Sequence, residues 1–218
     1  MSLQSDVQAE AAAAPEPTPE APAGNPALLG LPTFLVAGIT LGLWLIGYLD
    51  TATLGGGMIA AAVFSAGAFL LVSSIWAQRV GNSVVAGIFG TFSAFWLSFG
   101  FLLMGLLNGW FGLSTDPDIV GGQIQSVQAA YVLSWLIVFV MLTVSTLRLP
   151  LGFTVGFVFV CATFALVLAF VISGNSLFAT LAGICTFIFC AIYAYIFVDA
   201  MTQELGGKAM PMGNPIIG

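Results

Sequence analysis

From Leu28 to Val198 the chain is a succession of long apolar runs broken by short joints. The charges in that stretch, Asp50, Arg79, Asp116, Asp118 and Arg148, all fall at the joints. The runs are Leu28–Leu49, Leu54–Trp76, Val84–Leu107, Val127–Leu147, Leu149–Ile172 and Leu177–Val198. Each is about 20 residues or slightly more, enough to cross a ~30 Å hydrocarbon core at ~1.5 Å per residue. Backbone amides find no partners in lipid, so such runs must be helical. The alternating strands of a membrane β-barrel, each ~10 residues, are not the pattern here. The pattern predicts an all-α polytopic membrane protein of six transmembrane helices. Arg148 and Pro150 compress the joint between spans four and five into a tight turn.

Composition agrees. The chain is 60% hydrophobic and 6% charged, against about 25% charged in a soluble domain, so polar groups are too few to cover a surface in water. The few bases set an orientation. Arg79 follows span two, Arg148 follows span four and Lys208 follows span six, which puts all of them on one face with the N-terminus. By the positive-inside rule this face is cytoplasmic, giving an N-in/C-in, multi-pass protein of the cell membrane, plasma or bacterial inner membrane. Residues 1–24, rich in Ala, Pro and Glu, bury too little apolar area to offset chain entropy and are expected to form a disordered acidic tail. They lack the basic and apolar regions of a signal peptide, so the first helix is expected to serve as the targeting signal. Residues 25–213 form the membrane domain and 214–218 a short C-terminal tail.

Candidate chemistry is sparse. The chain has no His, and Cys161, Cys185 and Cys190 lie within apolar runs as small packing residues, so no metal, haem or other cofactor is expected. Three bases give no footprint for nucleic acid. No nucleophile elbow, phosphate loop or paired intramembrane carboxylate is present, which argues against an enzyme. Ser93, Ser98, Thr143, Thr154, Thr163 and Thr186 are expected to bond back to their own helices. Asp199 and Glu204, at the end of span six, are expected to be interfacial, with a proton-handling role open. Small residues recur at Gly57, Ala61 and Ser65 in span two and at Gly87, Gly90 and Ala94 in span three, a spacing that lets helix backbones approach. Span interiors without charge suit a small neutral solute, or a weak acid carried with its proton.

Span one opens on Asn25-Pro26-Ala27-Leu28-Leu29-Gly30-Leu31. This resembles the NPAPLGL signature of the acetate uptake transporter family, which includes the bacterial succinate–acetate permeases, with Leu28 in place of the second Pro. Gly81-Asn82 before span three, Ser93-Ala94-Phe95-Trp96 within it, Thr146-Leu147-Arg148 and the closing Pro211-Met212-Gly213 resemble further family stretches. Physically, Asn25 can cap the first turn and Pro26 can occupy the first helical position, where its missing N–H costs nothing. Asn25, Pro26, Leu29 and Gly30 thus mark a sharp helix start at the cytoplasmic mouth. The starts of spans one, three and five on that face would favour an approaching carboxylate.

The resemblance implies a homohexamer with a solute path through each protomer. It also implies a hydrophobic constriction built from the odd-numbered helices, at positions matching Phe34, Phe92 and Val160. Phe92 stands where a Tyr is typical and Val160 where a Leu is typical, so the pore loses a hydroxyl and gains a little width. Spacing is consistent with this. Phe34, Phe92 and Val160 follow Asn25, Asn82 and Pro150 by nine or ten residues, placing each ~14–15 Å below its helix start. The even-numbered helices are expected to hold the assembly together. The expected function is a transporter or channel for small monocarboxylates, acetate and possibly succinate, linked to protons. The competing expectation is a non-transporting membrane subunit that scaffolds a larger complex.

Overall fold

The computed structural model describes residues 24–49 and 56–218. The expected tail, apart from Gly24, and Asp50 lie outside the described residues. Among the described residues, six helices are long and apolar enough to cross a membrane: α1 (Ala27–Leu45), α2 (Ala61–Arg79), α3 (Ser83–Leu107), α4 (Pro117–Thr146), α5 (Leu151–Ser173) and α6 (Ser176–Glu204). The all-α multi-pass architecture is as the apolar runs predict.

Several starts are fixed by side chains. Asn82 accepts from Val85 N–H at 3.2 Å, Asp116 from Asp118 N–H at 2.9 Å, and Asn175 from Leu177 N–H at 3.0 Å. Each satisfies an amide that the helix itself leaves without a partner.

The boundaries depart from the apolar runs where helix and membrane are not the same thing. Span four was expected from Val127, but α4 begins at Pro117, capped by Asp116. Polar residues after Pro117 carry no hydropathy signal, yet nothing breaks the helix there. Gln125 on that extension donates to the Val171 and Ile172 carbonyls at the end of α5, at 2.8 and 3.1 Å. Likewise α6 runs beyond Val198 to Glu204. α1 stops at Leu45, short of Leu49, where Tyr48 N–H turns back to the Leu43 carbonyl at 2.9 Å.

α2 opens with a π-helical stretch, Ala61–Gly67, before becoming α-helical at Ala68. The small side chains of that stretch allow the wider turn and bring its backbone close to both neighbours. Ser65 Oγ donates to the Thr33 carbonyl of α1 at 3.0 Å, and Ser93 Oγ of α3 donates to the Gly67 carbonyl at 2.7 Å. In α3, Gly90 of the expected stripe lies against Ser74 of α2, while Gly87 and Ala94 face outward from the helix ring.

The helices form a ring in chain order. α1 packs on α2 and α6, α2 on α3, α4 on α5, and α5 on α6. The ring closes more thinly between α3 and α4, where Tyr131 OH lies 2.9 Å from Ser98 Oγ and 3.0 Å from the Phe95 carbonyl. The core lies on the axis of the ring and draws on every helix. Outward, α4 presents Leu133, Ile137, Met141 and Val144, all exposed, as expected of a helix facing an apolar solvent.

Candidate functional site

The axial core is aromatic at mid-depth. Phe34 of α1 meets Phe92 of α3 edge-to-face, with ring centroids 5.1 Å apart. Phe92 in turn meets Phe139 of α4 at 4.9 Å and Phe157 of α5 at 5.7 Å. Tyr193 of α6 stands perpendicular to Phe34 at 5.5 Å. Trp96, one turn beyond Phe92 on α3, contacts Phe34 at 6.3 Å. Val160 lies one turn beyond Phe157 on α5 and is 1% exposed, within the same buried cluster. The structure therefore brings Phe34 and Phe92 into direct contact and buries Val160 with them.

Trp96, Phe139, Phe157 and Tyr193 stand at this level without any sequence signal that assigns them to it. Two of them lie on even-numbered helices, so the level is not built from odd-numbered helices alone. No periodicity could single them out, since each sits in a run where nearly every residue is apolar.

Local sequence explains how this level is held. Gly30, one turn before Phe34, sits against the Phe89 ring, and a Cβ there would come within 2.6 Å of it. Its lack of a side chain lets α1 and α3 close above the Phe34–Phe92 contact. Thr163, one turn beyond Val160 on α5, and Thr186, one turn before Phe189 and Cys190 on α6, face each other with hydroxyls 3.4 Å apart.

The expectation for membrane hydroxyls holds at Ser98, Thr143, Thr163 and Thr186 and needs correction at Ser93 and Thr154. Thr143 and Thr186 do bond back, to the Phe139 and Ala182 carbonyls at 2.6 and 2.8 Å. Ser93 instead bonds across to Gly67, and Thr154 of α5 donates to the Thr146 carbonyl at the end of α4, at 2.8 Å. Both are buried where a neighbouring helix end or wide turn offers a closer acceptor than their own backbone.

The mouth is formed where α1 and α5 begin and α6 ends. A cleft of about 460 Å³ there is lined by Asn25, Pro150, Asp199, Gln203, Glu204 and Met212, among others. Pro26 and Gly30 are buried beside it and Leu29 is half-buried. The helix proper starts at Ala27, with Pro26 as the flanking residue, and Asn25 Oδ1 accepts from Ala27 N–H at 3.0 Å.

At each of the helix starts expected to receive a carboxylate at this face, a first-turn amide is already engaged. Besides Ala27 and Val85, Gly152 N–H of α5 donates to the Met212 carbonyl at 2.9 Å. The C-terminal segment supplies that acceptor by folding back over the start of α5. Tyr195 OH donates to the Pro211 carbonyl at 3.0 Å, and Ile216 and Ile217 N–H donate to the Leu147 carbonyl at 3.0 Å. Asp199, expected at the interface, is buried by this fold-back and accepts from Met210 N–H at 2.6 Å and Gln203 Nε2 at 2.9 Å.

Among the described residues no group of His, Cys, Asp and Glu side chains could hold a metal ion.

A protein named alcS from Aspergillus fumigatus is 26% identical over 212 residues, covering 88% of this chain and 74% of that protein. An uncharacterized protein of Methanothermobacter thermautotrophicus is 29% identical over 183 residues, covering 84% of this chain and 82% of its own. The solved structure of the bacterial acetate channel SatP matches with a TM-score of 0.72 at 25% identity, over 87% of this chain and 99% of that one. The profile of the GPR1/FUN34/yaaH family matches residues 7–205. The chain belongs to the GPR1/FUN34/yaaH family.

Proposed function

We propose that this chain carries small monocarboxylates, acetate first among them, across its membrane along the axis of the helix ring. The observation that carries the reading is the uncharged aromatic level of Phe34, Phe92 and Val160 in a fold shared with an acetate channel. At that level a solute meets ring edges and aliphatic carbons. Acetate has one methyl group and one planar carboxyl, so it can slide edge-on between rings once Phe34 and Phe92 part. Its charge is the obstacle, because an ionised carboxylate pays heavily for leaving water unless it is paired or protonated. Among the described residues, no side chain at that level offers a countercharge. Passage with a proton, as the acid or as an anion with coupled proton movement, removes most of that cost. Succinate, which carries a second carboxyl, pays it twice and is a poorer solute on this argument.

The bases Arg79, Arg148 and Lys208 support an N-in/C-in placement in the cell membrane, with the Asn25–Gly30 mouth on the cytoplasmic face. Assembly as a homohexamer is carried over from the family resemblance.

Labelled acetate uptake into proteoliposomes, with a pH gradient imposed and then removed, tests the reading. Saturable flux that rises with the gradient is expected, and Phe34→Ala or Phe92→Ala should change it several-fold. Unaltered flux in both variants would sink the constriction. No flux in the native protein would favour the scaffolding subunit.

A further inference from the structure

Among the described residues, four buried side-chain polar atoms have no hydrogen-bond partner: Trp44 Nε1, Ser73 Oγ, Trp96 Nε1 and Tyr193 OH. Buried donors without partners are rare in folded proteins and costly, and each calls for an explanation. Trp44 and Ser73 belong to α1 and α2, and neither is among the side chains whose rings pair with Phe34. Trp96 and Tyr193 are different. Both rings pack edge-on against the same ring, Phe34, with interplanar angles of 67° and 89°. They reach it from separate helices, α3 and α6. Trp96 is 1% exposed and Tyr193 5% exposed, so neither finds water at the surface.

Depth places Tyr193 at the same level by an independent count. It lies 11 residues before Glu204, the last residue of α6, which is ~16 Å at the helical rise. Glu204 lines the same mouth as Asn25 and Pro150, from which Phe34 and Val160 are reached in ~14–15 Å. The backbone on the far side is cleared to receive the phenol. A Cβ on Gly156 of α5 would fall 3.0 Å from Tyr193 Cζ and 3.1 Å from its hydroxyl oxygen, tighter than an ordinary contact. Gly156 thus leaves the hydroxyl lying over α5, one turn before Val160, with nothing bonded to it.

We infer that Tyr193 OH and Trp96 Nε1–H are the hydrogen-bond donors that receive the carboxyl oxygens of a monocarboxylate at the Phe34 level, from two different helices. The inference rests on the proposed transport function. It also gives that function a missing part. A purely apolar gate would pass the methyl and oppose the carboxyl, whereas two donors held without protein partners replace part of the carboxyl's lost hydration. Because neither donor is charged, they can serve the acid as well as the anion. They discriminate for solutes whose acceptors are close to a small apolar end, which is the chemical description of a short-chain monocarboxylate.

The test uses the full-length protein in proteoliposomes, with Tyr193→Phe and Trp96→Phe measured beside the native chain. Each substitution removes a donor that holds nothing else, so thermal unfolding in detergent should be unchanged for Tyr193→Phe. The half-saturation concentration for labelled acetate should rise at least five-fold in each variant, with maximal flux changed less. Native-like half-saturation in both variants, with saturable flux in the native protein, overturns the inference and leaves the transport reading standing. Absence of saturable acetate flux in the native protein overturns the transport reading and the inference with it. A large drop in the unfolding temperature of Tyr193→Phe also overturns the inference, because it would mean the hydroxyl serves the fold.

Discussion

At the residue scale, hydroxyls decide how close the helices stand. Ser93 is 2% exposed and spends its proton on the Gly67 carbonyl of the next helix, at 2.7 Å. Ser134, on the outward side of α4, spends its own on Ala130 of the same helix. Both are serines in apolar runs and look alike in sequence. Ser93→Ala should lower the unfolding free energy in detergent by about 0.5–2 kcal/mol, the range for inter-helix hydrogen bonds in membranes. Ser134→Ala should leave it nearly unchanged, since its bond joins no second helix. Equal effects would mean that the cross-helix bond adds nothing to packing. The aromatic residues make the same point. The motif resemblance reached Phe34 and Phe92, but their neighbours Phe157 and Tyr193 are visible only once helices that are distant in sequence stand side by side.

At the element scale, the C-terminal segment is the part that hydropathy could not foresee. It has no apolar run and no helix, yet it caps α5 and buries Asp199. Its carbonyls at Met212 and Gly213 lie 2.9 and 3.4 Å from the Gly152 and Leu151 amides, and Asp199 anchors its Met210 amide at 2.6 Å. Removing the anchor should release the cap. In Asp199→Ala, hydrogen exchange at the amides of Met210 and Gly152 should accelerate at least ten-fold, while amides in the middle of α5 stay protected. Unchanged exchange at both positions would show that the segment is held by its other contacts alone. α4 teaches the complementary lesson. Its apolar part was legible, and its extension to Pro117 was not, because Asp116 and Pro117 start a helix well outside the stretch that hydropathy detects.

At the scale of the whole molecule, the starts of α1 and α5 and the ends of α2 and α6 share one end of the ring. Gly24 lies against the Trp76 ring, and Asn25, Pro150 and Glu204 line one cleft. Arg79, Arg148 and Lys208 therefore gather at that end by construction, and Asp116 and Asp118 lie at the other. Single cysteines on a chain with its three native cysteines replaced check which end faces the cytoplasm. A cysteine at Gly218 should resist a membrane-impermeant thiol reagent in intact cells, and one at Ser114 should react. The reverse pattern would invert the orientation and move the Asn25–Gly30 mouth outside.

The sequence by itself determined the number of spans, their alternation and the family, because lipid demands internally bonded helices of a set length and the Asn25–Leu31 motif is local. The starts of α3 and α6 fall within one residue of the apolar runs, where Asn82 and Asn175 cap locally, whereas the start of α4 at Pro117 does not. Only the tertiary structure decided which aromatic rings meet, which hydroxyls cross between helices and which donors are left without partners. In runs where almost every position is apolar, no face is marked in advance. The inner face of each helix is set by contacts with helices far away in sequence, and so the Phe34 level acquires Trp96 and Tyr193 only on folding.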